Sequence, residues 1–101
     1  MNATVRAQVF ARAEGLCECG CGEPLGDSGH LDHFFGRAKA PENERTCWAL
    51  HWRCDHLKTT NTPSAAAWLR KFIAHCLKHR YELEAQAADV KLFVLAAKGL
   101  A

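Results

Sequence analysis

Between Leu31 and Thr59 the chain gathers residue types that bind metals and move protons. Leu31-Asp32-His33-Phe34 opens this stretch, and Leu50-His51-Trp52-Arg53-Cys54-Asp55-His56-Leu57-Lys58-Thr59 closes it. Just upstream lies Cys17-Glu18-Cys19-Gly20-Cys21-Gly22. Four-coordinate structural zinc takes two pairs of thiolate or imidazole ligands at short spacing. His51-x-x-Cys54 has the usual two-residue gap and supplies one pair. Cys17, Cys19 and Cys21 compete for the other. Cys17 and Cys21 are preferred, because three intervening residues make a looser knuckle, and Cys19 is the reserve. Met1-Asn2-Ala3-Thr4-Val5-Arg6 has no signal-peptide apolar core, so clustered cysteines read as metal ligands before disulfides. Cys47 and Cys76 sit in apolar patterns and read as small core residues.

A second chemistry overlaps the first. Asp32 and His33 are adjacent, so on a strand their side chains leave opposite faces. If two short strands form a hairpin and a helix crosses it, Asp55 comes to face Asp32. Two carboxylates there make a hard oxygen site suited to Mg2+. A histidine is the natural general base beside it, and His33 is the candidate.

The elements that must position these groups follow from periodicity. Thr4 to Glu14 reads as a helix with Val5, Val9 and Ala13 on one face, Thr4 as N-cap and Gly15 beyond its end. His30 to Phe35 and Thr46 to Leu50 read as short strands, joined by a surface loop over Arg37 to Arg45. Trp52 to Thr60 reads as a short helix. Thr62 caps the next helix with Pro63 at its first position, and Ala65, Leu69, Phe72, Ile73 and Cys76 form its stripe. After a break near His79–Glu82, a last helix places Leu83, Ala87, Val90, Val94 and Ala97 on its buried face, with Gly99 past its end. His75 and His79 share a helix face and read as surface or phosphate contacts. The fold expected is α+β in a single domain: an N-terminal helix over residues 1–16, a zinc-binding core over 17–62 and a helical hairpin over 63–101.

The chain has 101 residues and a formal net charge of +2. A domain this short buries a limited share of its surface, so a metal or a partner often helps to stabilise it. No apolar run reaches membrane-spanning length. The charge is unevenly placed: residues 63–80 carry Arg70, Lys71, Lys78 and Arg80 and no acid. Such a run is a candidate phosphate-binding face.

Taken together, Cys17 to Gly22, Leu31-Asp32-His33-Phe34 and Cys47 to Thr59 resemble the HNH endonucleases of the ββα-metal fold, in their small phage or bacterial form. The resemblance covers about residues 10–62. It implies Asp32 as a catalytic metal ligand and His33 as the base that deprotonates water. His51 and Cys54 stand where the family has its second cysteine pair. Asp55 stands where the family has a metal-binding histidine, and His56 is the adjacent alternative. Thr46 occupies the place of the family asparagine, with Asn43 and, more weakly, Asn61 as amides that could reach in. The implied cofactors are structural Zn2+ and catalytic Mg2+ or Mn2+, and the implied substrate is double-stranded DNA. Arg37, Lys39, Arg53 and Lys58 would touch phosphates, with Lys71 and Lys78 extending that surface. The expected setting is the cytoplasm of a bacterium, with a phage origin in view and no membrane contact. Two other readings are kept. One is a zinc-stabilised DNA-binding module without catalysis. The other is an interaction protein, homodimeric or bound to another protein through its C-terminal helices, where Phe93, Val94 and Leu95 exceed what one stripe needs.

Overall fold

A strand that is buried on both faces and paired on one edge must find partners for its other edge. Cys47–His51 (β2) is such a strand, with all five residues buried. One edge pairs antiparallel with Gly29–His33 (β1) in the register Leu31↔Ala49 and Asp32↔Trp48. The other edge is completed by residues from the N-terminal helix Ala3–Ala13 (α1) and the cysteine knuckle. The Glu18 backbone N–H donates to Ala49 O at 2.8 Å, and the Glu18 carboxylate accepts the Ala49 N–H at 2.9 Å. Arg12 donates to Cys47 O at 3.0 Å, and the His51 N–H donates to Cys17 Sγ at 3.3 Å. One glutamate and one arginine thus do the work of a third strand.

The two charges satisfy each other. Arg12 Nε and a terminal nitrogen meet the two Glu18 carboxylate oxygens at 2.7 Å each, a bidentate fork. The guanidinium also donates to Glu44 O. Their side chains are 11% and 4% exposed. α1 itself buries Val5, Val9 and Ala13, as its periodicity predicts. It begins one residue before Thr4, so the expected N-cap is the second helical residue instead.

The structure is a computed structural model that describes residues 3–101. A 3-10 turn, Gly26–Ser28, precedes β1, and the helix Trp52–Thr59 (α2) follows β2 without a break. The helices Ala65–Lys78 (α3) and Glu82–Ala97 (α4) complete an α+β chain with a two-stranded sheet. It divides into two compact units whose boundary falls inside α2, between Asp55 and His56. Sequence patterning sets the limit of the core later, after residue 62.

In the second unit α3 packs against α4. The cap of α3 is Ser64, whose hydroxyl accepts the Ala67 N–H at 3.1 Å; Thr62, the expected cap, uses its carbonyl to accept from Trp68 Nε1 at 2.9 Å. The reversal between the helices lies at residues 79–81, with Arg80 in the left-handed region at φ 62°. α3 buries Leu69, Phe72 and Cys76 as expected, but Ala66, Trp68 and His75 rather than Ala65 and Ile73 are the other fully buried residues. His75 is not a surface group: it is 5% exposed, with ring contacts to Phe72, His79 and Tyr81. α4 is turned the other way round from its expected orientation. It buries Ala85 and Ala88, and the expected core face points to solvent. Small alanines permit close approach of two helix backbones, which the bulkier Leu83–Val94 face does not.

Breaking the Arg12–Glu18 fork strands one buried charge and reopens the edge of β2. Arg12→Ala should lower unfolding stability by about 3–5 kcal/mol, measured by denaturant titration, whereas truncating the exposed Arg45 should change it by less than about 0.5 kcal/mol.

Candidate metal centre

Three cysteines in five residues can converge only if the backbone between them turns sharply. Gly20 and Gly22 supply that turn, at φ 91° and 82° in the left-handed region. The bridge Leu16↔Pro24 closes the base of the loop, through Cys17 N–H to Glu23 O at 2.9 Å and Leu25 N–H to Gly15 O at 2.8 Å. Opposite it, β2 delivers the chain directly into α2, whose first turn carries Cys54 inward. Cys17, Cys19, Cys21 and Cys54 then lie with all four sulfurs within 4.8 Å of one another. Cys17–Cys19, Cys19–Cys54 and Cys21–Cys54 are separated by 3.3, 3.7 and 3.5 Å. A Zn–S bond of about 2.3 Å in a tetrahedron requires sulfur–sulfur edges of about 3.8 Å. Disulfide sulfurs would be about 2 Å apart, and all six cysteines are free. Four clustered thiols of this geometry could hold a metal ion such as zinc.

The electrostatics divide the thiols. The hydrogen bond between Cys17 and Cys19 holds the Cys17 pKa down to about 5 against the burial that opposes it. Backbone N–H groups of Cys19 and His51 add to that effect. The same bond pushes Cys19 well above the usual thiol range, and burial pushes Cys54 up to about 12. The Glu23 N–H donates to Cys21 Sγ at 3.4 Å. Cys54, at the N-terminal turn of α2, also sits at the positive end of the helix dipole.

The ligand set differs from the sequence-based choice in one member. Cys19, held in reserve there, belongs to the four-sulfur group, and His51 does not. His51 serves the centre through its backbone: its N–H reaches Cys17 Sγ, while its Nδ1 accepts the Arg53 N–H at 3.2 Å. The signal that favours Cys19 is the glycine on its far side, which lets consecutive odd-numbered cysteines face one point.

The candidate catalytic residues surround β1. Cross-strand mates share a face, so Asp32 lies with Trp48 and His30, and His33 lies with Cys47 on the opposite face. Asp32 Oδ2 accepts from Trp48 Nε1 at 2.7 Å. Asp55 Oδ2 accepts from His30 Nδ1 at 2.9 Å, which ties the first turn of α2 to β1. His33 Nε2 is hydrogen-bonded to the Glu42 carboxylate, and its side chain is largely buried. Sequence reasoning overlooked His30 and Glu42. His30 was open to discovery, since i and i+2 share a strand face; Glu42 lies in an irregular loop where no spacing rule applies.

Thr46 and Asn43 are occupied with their own loop. The Thr46 hydroxyl donates to Pro41 O at 2.6 Å, and Asn43 Oδ1 accepts from the N–H groups of Arg45 and Thr46 at 2.8 and 3.1 Å. His56 is the next residue of α2 and is exposed. Among the candidate phosphate contacts, Arg37 and Lys39 are exposed in the turn after β1, and Arg53 is paired with Glu23 at 3.2 Å. In the second unit Lys71 lies over the Trp68 ring at 5.6 Å, Lys78 is exposed and Lys58 is half-buried. No helix is long and apolar enough to cross a membrane among the described residues. No protein-family model, no curated protein and no solved structure matches the chain.

At neutral pH Cys17 enters metal binding already ionised, whereas Cys19 and Cys54 must each lose a proton. Zinc uptake by the metal-free protein should therefore release at least two protons per ion, read as the buffer dependence of the calorimetric enthalpy. Apparent affinity should fall about 100-fold or more per unit of acidification across the neutral range. Cys19→Ser should lower zinc content by metal analysis, and His51→Ala should leave the stoichiometry intact.

Proposed function

We propose that the first unit is the catalytic core of a metal-dependent DNA endonuclease of the HNH type, scaffolded by a tetracysteine zinc site. The observation that carries this reading is the crossing of β1 by the first turn of α2. There Asp55 bonds to His30, on the strand face that also carries Asp32 about 7 Å further along. A hairpin running straight into a helix, with Cys54 anchoring that helix to the knuckle, is the arrangement such a nuclease needs.

Asp55 at the crossing and Asp32 further along the same strand face are carboxylate donors of the type a hard divalent cation takes, though they do not gather with a third ligand within 4.8 Å among the described residues. Asp32 and Asp55 would hold Mg2+ or Mn2+, which when bound supplies electrostatic stabilisation of the charge that builds on the phosphoryl oxygens. His33, at the end of β1, takes the proton from the attacking water. Glu42 fixes the orientation of the His33 ring. Asp32 and His33 bracket the end of β1 from its two faces, so the phosphodiester would sit across that end. Arg37 and Lys39, in the turn that follows, are positioned in sequence to hold flanking phosphates without reading bases. Residues 43 and 46 take no part in this chemistry, because their polar groups support the loop that carries Glu42.

Plasmid cleavage by zinc-loaded protein, with EDTA, Mg2+ or Mn2+, tests the reading. Cleavage should require added Mg2+ or Mn2+ and fall about 100-fold or more in His33→Ala. Glu42→Gln should fall by a smaller factor, as expected of a residue that orients the base. If His30→Ala abolishes cutting and His33→Ala does not, the base is His30. Salt-sensitive DNA binding with no cutting under any of these metals would leave a binding module and sink the nuclease.

A further inference from the structure

Of the three tryptophans, Trp48 and Trp68 are buried, and Trp52, the first residue of α2, is 49% exposed. Single exposed apolar side chains are common on protein surfaces. What distinguishes Trp52 is its company. Trp52 and Asp55 are three residues apart on α2, so their Cβ atoms lie about 5–6 Å from each other on one face of the helix. Asp55 is the residue that bonds to His30 on β1. Cys54, two residues on from Trp52, leaves the other side of the helix for the sulfur cluster. The indole therefore stands beside the crossing where the candidate chemistry lies.

The ring is also backed by one neighbour and flanked by a cation. The buried His51 ring lies 5.7 Å from it, inclined by 36°. The Arg53 guanidinium lies over it at 6.0 Å, the outer limit of a cation–π contact. That guanidinium also meets Glu23 at 3.2 Å, an exposed pair of small net worth that a phosphate can displace. An open aromatic ring with an arginine beside it suits single-stranded nucleic acid: the ring stacks on a base and the guanidinium takes the adjoining phosphate. A base inside a closed duplex is stacked on both faces and offers neither to an indole. Resting on the nuclease reading for the chemistry of the substrate, we propose that Trp52 is a stacking platform for an unpaired nucleobase next to the scissile phosphate. The substrate is then DNA that is single-stranded or locally unpaired at the point of cutting.

Binding of labelled DNA to the full zinc-loaded chain, without added Mg2+ or Mn2+, tests this. The probes are a single-stranded oligothymidylate, a closed duplex and the same duplex with a central bulge. Wild type should favour the oligothymidylate and the bulged duplex over the closed one by about tenfold. Trp52→Ala should weaken binding of those two about 5- to 100-fold and of the closed duplex less than about twofold. Its salt dependence should not change, because stacking releases no counterions, whereas Arg53→Ala should reduce the salt slope by about one. Trp52→Phe, which keeps a ring, should bind within about threefold of wild type. It should lose the quenching of tryptophan emission that the probes cause in wild type, since the remaining tryptophans are buried. Circular dichroism and zinc content should be unchanged at so exposed a position. Equal loss on all three probes, no loss on any, or a wild type that prefers the closed duplex overturns the proposal. The plasmid assay separates this failure from that of the nuclease. Binding that depends on Trp52 without cutting keeps the platform and removes the nuclease; cutting with binding indifferent to Trp52→Ala does the reverse.

Discussion

Four sulfurs within one metal-sized space set the terms for the first unit. Ionised together without a cation they repel; protonated together they leave buried thiols with poor hydrogen bonds. The cluster splits its thiols: the contact with Cys19 draws Cys17 down to about 5, while that contact and burial push Cys19 and Cys54 up. A divalent cation would resolve this frustration and would convert the cluster into a cross-link between the knuckle and α2. Because α2 leaves β2 directly, that cross-link also determines where Asp55 meets β1. Cys54 of the sulfur cluster and Asp55 of the β1 contact thus share a single helical turn.

A two-stranded sheet has little stability of its own. Here β2 is held on its free edge by side chains and by a sulfur, in place of backbone from another strand. Glu18 is the pivot, since it lies between two of the clustered cysteines and also accepts the Arg12 fork. The knuckle cannot move without disturbing the sheet edge, nor α1 without disturbing the knuckle. This gives a short chain a connected core with modest apolar burial, at the cost of burying a charge pair whose members depend on each other.

The elements of this fold were legible in the sequence where local rules govern. The helices, both strands and the reversal near His79–Glu82 follow from periodicity and turn chemistry, with ends displaced by one or two residues. The four-sulfur site was legible as a zinc signature, but not its membership, because spacing alone does not separate Cys19 from His51. The Arg12–Glu18 fork was illegible, since an arginine on a helix and a glutamate in a knuckle look solvated until the tertiary fold joins them. The outward turn of α4 was missed for a related reason. Where both faces of a helix are apolar, periodicity identifies a stripe but not which stripe is inside, and the closer packing of alanine decided it.

The two histidines on β1 show how one strand gives like residues different surroundings. His30 is half exposed, with Asp55 on its ring nitrogen; His33 is nearly enclosed, with Glu42 on its own. Both pairs join imidazole to carboxylate, and the carboxylates are about equally open, Glu42 at 26% and Asp55 at 28%, so the difference lies in the rings, His33 at 8% and His30 at 51%. Glu42 holds the enclosed His33 ring in one orientation, while Asp55 ties the open His30 ring to the first turn of α2. The division of roles proposed above would follow from strand alternation and from which loop or helix covers each side.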